Sequence, residues 1–324
     1  MPCDTAIGTR RLPVIIDTDP GIDDAIALLL ALAAPELEVL AVTTVAGNAP
    51  LSVTFNNARQ ICALAGRADV PVYAGCSAPL LREPIHGKFS GSGGLGSLSL
   101  PALMAPVQTL HAVDYLIEAL LAARASGRKI ILCVLGPLTN LAVALRKQPD
   151  IVEGLQQVLI MGGAAREAGN RTCCAEFNIL SDPHAAHIVF NSRIDLRLFP
   201  LDVTHQAMTT AARLRPLQAL RGPVADAVRK LFADWDRNDS ARFGSEGGPL
   251  HDPLVIAALL RPTLFSGYSA FAQVELSSPL TLGQTVVDRW NTSNEPHNLH
   301  IADTVDADGF FELLWQRLSS YHED

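Results

Sequence analysis

Val14-Ile15-Ile16-Asp17-Thr18-Asp19-Pro20-Gly21-Ile22-Asp23-Asp24-Ala25 passes from a β-branched apolar run, through a proline and a glycine, into an apolar stretch that continues to residue 34. β-Branched residues in a short run favour a strand, Pro-Gly breaks it, and the longer Ala- and Leu-rich stretch that follows favours a helix. The same grammar recurs along the chain. A run at 39–45 precedes a helical stretch at 51–64, and a run at 130–135 precedes one at 138–147. Further apolar runs at 158–161 and 194–199 each end in turn residues, Gly162-Gly163 and Pro200. Strands alternating with helices imply right-handed crossovers and a mostly parallel sheet with helices on both faces. The expected fold is therefore an open, Rossmann-like α/β sheet with its ligand site at the strand C-terminal ends.

Beyond residue 200 the pattern predicts helices at 224–242, 252–260 and 310–318, and strands at 270–276, 284–288 and 298–301. These read as helical and strand elaborations on one α/β domain spanning 1–324, since no linker-like change of composition divides the chain. The stretch 76–106 is rich in Gly, Ser and Pro and has no periodicity, as expected of a long surface loop of the kind that covers an active site.

Composition narrows the classes of function. Hydrophobic residues make up 48% of the 324 and charged residues 18%, enough to bury a large core. The 33 acidic and 25 basic residues leave a net charge of −8, which argues against a phosphate-tracking nucleic-acid binder and an anionic-membrane binder. The longest uniformly apolar stretch, 25–34, is ten residues, half of what a membrane span needs. No secretory signal precedes it, so a cytoplasmic location is expected. The six cysteines show no Cys-x-x-Cys or Cys/His zinc spacing and read as reduced, packing thiols.

Asp17, Asp19, Asp23 and Asp24 put four carboxylates within eight residues, with no Lys or Arg interleaved. One or two carboxylates at a helix start are ordinary caps. Two carboxylates 4 Å apart repel by about 4 kcal/mol at an effective dielectric of 20, so a tighter group needs protons, a cation or a metal. Oxygen donors on a fixed turn suit Ca²⁺ or Mg²⁺; zinc would recruit His or Cys. A metal site and a capping or acid/base cluster both remain open on these residues alone. Polar clusters also follow the other strands, at Thr43 to Asn48, Gly136-Pro137-Leu138-Thr139-Asn140 and Met161-Gly162-Gly163, so several strand ends converge on one edge. Glu176-Phe177-Asn178 sets a carboxylate and an amide around an aromatic ring, able to bond hydroxyls while the ring packs. His251-Asp252 sets an imidazole beside a carboxylate at a helix start: a candidate general acid next to a candidate metal ligand or cap.

Taken together, Asp17 to Ala25, Ala46-Gly47-Asn48, Ile85-His86-Gly87, Gly136 to Asn140, Met161-Gly162-Gly163, Ala175 to Asn178, His251-Asp252-Pro253 and Leu280 to Thr285 resemble, in order, the motifs of the nucleoside hydrolases, the inosine/uridine-preferring N-ribohydrolase family. The resemblance implies an enzyme that cleaves ribonucleosides to base and ribose. It implies Ca²⁺ held by Asp19, Asp24, Asp252 and the carbonyl of Thr139, with Asp17 behind them. It places Asp23 and Asn48 on the ribose diol, and Asn170, Glu176 and Asn178 on the 5′ side, with Phe177 between the last two and Met161 adding a backbone contact. His86 falls near sugar and base, Asp19 becomes the base for the attacking water, and His251 the acid for the leaving group. Its partners would be a small nucleoside and further copies of the chain, as a homodimer or homotetramer, and neither nucleic acid nor membrane. One departure concerns the helix before His251, where several relatives carry a Tyr: residues 232–243 contain none, and Trp235 there is either a stacking partner for a base or plain packing. A second enzyme class shares part of the signal. Ile15 to Asp19 also resembles the strand-end Asp-x-Asp of haloacid-dehalogenase-like phosphatases, yet their later Gly-Asp-x-x-x-Asp segment and essential Lys are not evident. A non-catalytic nucleoside- or ribose-binding protein is the third reading.

Overall fold

The apolar run at the start of the acidic stretch forms β1 (Leu12–Thr18), and the Ala- and Leu-rich stretch forms α1 (Ile22–Leu32), in which all eleven residues are buried. This computed structural model describes residues 11–87, 91, 93–101, 103, 107–243 and 247–321, the side chains of 235–243 excepted. The chain continues through β2 (Leu37–Thr44), α2 (Leu51–Leu64), β3 (Val72–Ala74), α3 (Ala112–Ala125), β4 (Ile130–Val134), α4 (Thr139–Lys147) and β5 (Leu155–Met161). There follow α5 (Phe177–Ser181), α6 (Pro183–Phe190), β6 (Leu196–Phe199), α7 (Leu201–Thr204), α8 (Ala211–Leu214), α9 (Pro223–Phe243) and α10 (Pro253–Leu260). A terminal portion adds β7 (Phe265–Val274), β8 (Thr285–Asp288), β9 (Leu299–Val305) and α11 (Ala307–Leu318).

The nine strands lie in the order β3-β2-β1-β4-β5-β6-β9-β7-β8. Pairing is parallel from β3 across to β9 and antiparallel for β9-β7 and β7-β8. Alternate residues feed two cores, as the two-residue period of a strand requires. Ile16, Cys133 and Leu159 face α1, α10 and α11, whereas Ile15, Leu132 and Val158 face α3, α4 and α6. The expected open α/β sheet is thus the observed one, with an antiparallel elaboration at one edge.

Strand β3 and helices α3, α5, α6, α7 and α8 go beyond the pattern read from the sequence. Strand β3 is only three residues long, α3 completes the crossover into β4 by burying Leu116 and Leu120, and α6 does the same before β6 with Ala185, Ala186 and Val189. Strand β7 also begins five residues earlier than expected, at Phe265, because its first half pairs with β9 on an exposed edge where hydrophobic alternation fades. The described part of 76–106 forms neither helix nor strand. It is tied down: Asn57 Nδ2 donates to the carbonyls of Pro20 and Gly93, and Ser97 donates through N and Oγ to Asp234. Among the described cysteines none is in a disulfide; Cys62 and Cys133 are buried, Cys76 and Cys174 half-buried, and Cys173 exposed. No helix among the described residues is long and apolar enough to cross a membrane.

Candidate active site

Chain order runs from β1 toward β3 on one side and restarts at β4 on the other, so β1 and β4 flank the point where connections reverse. No crossover covers the C-terminal ends of the strands there, and a crevice results. The acidic stretch sits in it. Asp17 is the penultimate residue of β1, and its carbonyl accepts from the amide of Leu135 just past β4. Asp17 Oδ2 accepts from Thr43 Oγ1 at 2.6 Å and Asn140 Nδ2 at 2.9 Å, which locks its carboxylate between β2 and α4. Burial nevertheless pushes Asp17 up to about 7, with the Thr43 and Asn140 bonds acting the other way.

Asp19 is held on one oxygen only. Its Oδ2 accepts from the Asn48 amide at 2.6 Å, while its Oδ1 is buried without a hydrogen-bond partner among the described residues. Two glycines explain how it fits. A Cβ at Gly47 would lie 2.1 Å from Asp19 Oδ2, and one at Gly136 2.3 Å from Oδ1. Neither position has a positive φ, so glycine is there for the close approach of backbone to carboxylate rather than for its conformational range. Burial first, then the nearby Asp24, raises Asp19 well above the usual carboxylate range.

Asp24 is the hub. Thr18 Oγ1 and the Asp19 amide donate to its Oδ1, and the Gly21 amide and Asn48 Nδ2 donate to its Oδ2 at 2.9 and 3.1 Å. Asp23, Asp24 and Asp252 each bring a carboxylate oxygen into a group whose members lie within 4.8 Å of one another. Asp252 stands at the N-cap of α10 yet makes no capping bond through its side chain, so helix capping does not account for it. A helix N-terminus favours each carboxylate by about 0.3–1 kcal/mol. Two charges 4.8 Å apart repel by about 3.5 kcal/mol at an effective dielectric of 20, and repulsion wins. Accordingly burial and then Asp24 push Asp23 up to about 8, and burial and then Asp23, Asp24 and Asp19 raise Asp252 well above its ordinary value. A hard divalent cation fits Asp23, Asp24 and Asp252, whose donors are all oxygens, clustered and buried; Asp19, expected as a ligand, is not one of the three, though its Oδ1 is buried without a hydrogen-bond partner among the described residues.

The remaining expected residues stand around the cluster. Thr139 opens α4 beyond β4, its hydroxyl turned to Asp182 at 2.8 Å, leaving its carbonyl as the oxygen on offer. Asn48 and His86 are half-buried, with His86 Nδ1 3.0 Å from the Gly47 carbonyl and the Gly87 amide donating to the Asn48 carbonyl. Glu176 is more committed to backbone than expected. It caps α5 by accepting from Asn178 N and Ile179 N, and it also accepts from Gly163 N at 2.9 Å, pinning α5 to the end of β5. Asn178 spends its Nδ2 on the carbonyls of Leu135 (2.7 Å) and Met161 (3.1 Å), which leaves Oδ1 for a donor. Asn170 Oδ1 accepts from Phe177 N at 2.9 Å, and the Phe177 ring lies 6.0 Å from the Arg171 guanidinium. His251 Nδ1 is 2.8 Å from Thr204 Oγ1, and the His205 ring centroid lies 6.0 Å away. The Trp235 side chain lies outside the described residues. Sequence reasoning gave no role to Thr18, Thr43 or Thr204. The first two neighbour the acidic stretch or a flagged strand end, whereas Thr204 lies 47 positions from His251 with nothing local to mark it.

An open sheet whose switch point carries a buried carboxylate cluster, with amide and imidazole side chains nearby, offers a site for a cation and a small polar ligand. The chain belongs to the inosine-uridine preferring nucleoside hydrolase family, whose model matches residues 14–312. It is similar to a pyrimidine-specific ribonucleoside hydrolase RihA of Shewanella sp. (strain ANA-3), 43% identical over 313 residues covering 95% of this chain and 96% of that one. An uncharacterized protein of Schizosaccharomyces pombe is 46% identical over 308 residues, covering 95% and 99% of the two chains. Among solved structures, a plant nucleoside hydrolase superposes with a TM-score of 0.88 at 31% identity, covering 95% of this chain and 99% of that one. A purine-preferring ribonucleoside hydrolase from Gardnerella vaginalis does so with 0.87 at 28%, covering 95% and 98%. The chain is thus an enzyme that hydrolyses the N-glycosidic bond of ribonucleosides, and the phosphatase reading of Asp17-Thr18-Asp19 falls away.

Proposed function

We propose that the chain is a Ca²⁺-dependent hydrolase that releases free base and ribose, with pyrimidine ribonucleosides preferred. The observation that carries the reading is Asp19, one oxygen fixed by the Asn48 amide and the other buried with no hydrogen-bond partner among the described residues, beside the clustered carboxylates of Asp23, Asp24 and Asp252; burial, then Asp24 and Asp23, raise its pKa. Asp19, Asp24, Asp252 and the Thr139 carbonyl would hold the ion, with Asp23 close by. When bound, the ion anchors the sugar diol and lowers the pKa of a water.

The chain's own groups do the rest. Asp19 Oδ1 accepts the proton of the water that attacks C1′, at a carboxylate that Gly47 and Gly136 hold in one position. Asp23 and Asn48 take the 2′- and 3′-hydroxyls. Asn178 Oδ1, Asn170 and Glu176 line the 5′ side, and the Phe177 ring and Met161 carbonyl close around it. The surrounding carboxylates stabilise the positive charge that builds on the sugar as the base departs through an oxocarbenium-like state. His251, oriented by Thr204 and with the His205 ring 6.0 Å away, hands a proton to the leaving base, a contribution of roughly 10²- to 10⁴-fold. Trp235 is the candidate stacking partner for the base.

Pyrimidine preference is supported by the 43% identity to an enzyme named pyrimidine-specific, against 28% to one named purine-preferring. We further propose that the whole chain acts as one such unit, in the cytoplasm, as a homodimer or homotetramer. Ribose release from uridine, cytidine, inosine, adenosine and guanosine, with Ca²⁺ or EDTA and with Asp19→Ala, tests the reading. Uridine and cytidine should lead, and both EDTA and the substitution should abolish release. Full activity under either condition would remove Asp19 and the ion from the mechanism.

A further inference from the structure

A second polar concavity lies at the other end of the sheet, near the N-terminal ends of β5 and β6. It encloses about 370 Å³ between the strands and the C-terminal end of α10. Its polar lining is Gln157, Arg197, Ser266 and His300, and its apolar wall includes Leu159, Phe199, Leu259 and Phe265. No Asp or Glu lines it, although acidic residues outnumber basic ones 33 to 25 in the chain. Register accounts for the grouping. Leu159 pairs with Arg197 and Arg197 with His300 across parallel strands, so the three project from one face of the sheet side by side.

Two details bear on its cationic side. Arg197 forms no ion pair with a carboxylate among the described residues. Gly267 sits at a register shift in β7 without a positive φ; a Cβ there would fall 2.9 Å from His300 Nε2 and 2.2 Å from the Ile301 carbonyl oxygen. Glycine at this point is required by the close approach of β7 to the β9 backbone, and it also keeps a side chain off the imidazole. Burial and the adjacent Arg197 hold His300 below its ordinary pKa, with Asp195 acting in the opposite direction. A guanidinium at one side of a recess of this size, part polar and part apolar, suits a small amphipathic anion.

We propose that this cavity binds a small organic anion, its carboxylate or phosphate held by Arg197 with Gln157 and His300, and its apolar body lying against Leu159, Phe199 and Phe265. The site is separate from the acidic cluster, and its occupancy does not depend on the glycosidase reading.

Calorimetric titration of the full chain, with Ca²⁺ and ribose present to fill the sugar site, tests the idea with three probes: benzoate, phenyl phosphate and the neutral benzamide. At least one anion should bind with a Kd of roughly millimolar or tighter, and benzamide at least tenfold more weakly, a difference of about 1.4 kcal/mol. The two anions separate carboxylate from phosphate ligands. Arg197→Gln, at an exposed position that leaves the fold intact, should weaken the anion at least tenfold with nucleoside kcat and melting temperature unchanged. Leu259→Trp should block the recess and abolish binding. Equal binding of benzamide, anion binding untouched by Arg197→Gln, or no binding at about 10 mM of either anion would overturn the proposal.

Discussion

Stripping divalent cations with a chelator and raising the pH from 6 to 8 should lower the melting temperature, and Ca²⁺ should restore it. The sign follows from the carboxylates. An Asp in the unfolded chain titrates near 3.8, whereas burial brings Asp17 to about 7 and Asp23 to about 8 and also raises Asp19 and Asp252 well above that value. A carboxyl raised on folding keeps a proton that the unfolded chain has already lost, so stability falls as pH climbs from the unfolded value toward the folded one. If the folded, metal-free protein retains one extra proton between pH 6 and 8, the loss is about 1.4 kcal/mol per pH unit, or about 2.7 kcal/mol in total. An unfolding entropy of about 2.1 cal/mol/K per residue gives about 0.7 kcal/mol/K for this chain, hence a drop of about 4 °C. Two or more retained protons double the figure or exceed it. Ca²⁺ at a hundred times its Kd should return about 2.7 kcal/mol at pH 8, again about 4 °C. Differential scanning calorimetry of chelated and Ca²⁺-loaded protein at the two pH values measures both effects. A metal-free melting temperature that is flat or rises from pH 6 to 8, or one indifferent to Ca²⁺ at pH 8, would refute the argument that these carboxylates are held together for a cation.

Other outcomes follow from single contacts. His251→Ala should lower kcat on uridine by roughly 10²- to 10⁴-fold, but should change kcat on a p-nitrophenyl riboside little, because that leaving group departs without a proton; equal losses on both substrates would deny His251 the role of acid. Thr204→Val removes the 2.8 Å contact to His251 Nδ1 and should reproduce a smaller part of the same uridine-selective loss. Gly136→Ala places a methyl 2.3 Å from Asp19 Oδ1 and should cost about 1–3 kcal/mol of stability together with most of the activity, read by denaturant titration and ribose release.

Much of this architecture is legible in the residues because apolar period and turn chemistry coincide: the change from β-branched run to Ala- and Leu-rich helix around Pro20-Gly21 marks β1 and α1 directly. Strand β3 escapes, since three residues carry no period, and the first half of β7 escapes because an edge strand need not alternate. Helix α3 has Leu116 and Leu120 at helical spacing but follows a stretch without pattern, so nothing anchors its start. The acidic residues of the site could be found because four of them share one turn. What Glu176 does with its carboxylate could not, because its partners are the backbone amides of Gly163, Asn178 and Ile179, groups that every sequence possesses and none advertises. Thr204 is equally silent, being brought to His251 by the pairing of Met208 with Pro249 and the bond from the Leu250 amide to the Ala207 carbonyl.

The packing of Gly47 and Gly136 around Asp19 has a consequence for evolution as well as for catalysis. Backbone from two loops, 89 positions apart in the chain, closes on the two oxygens of one side chain, so the three positions can change only in concert. Lengthening Asp19 to Glu, or enlarging either glycine, has no single-step route that keeps the reacting oxygen where it is. Drift is thereby directed away from the reaction centre toward the outlying loops, and new substrate preferences can arise there while the bond-breaking core stays in place.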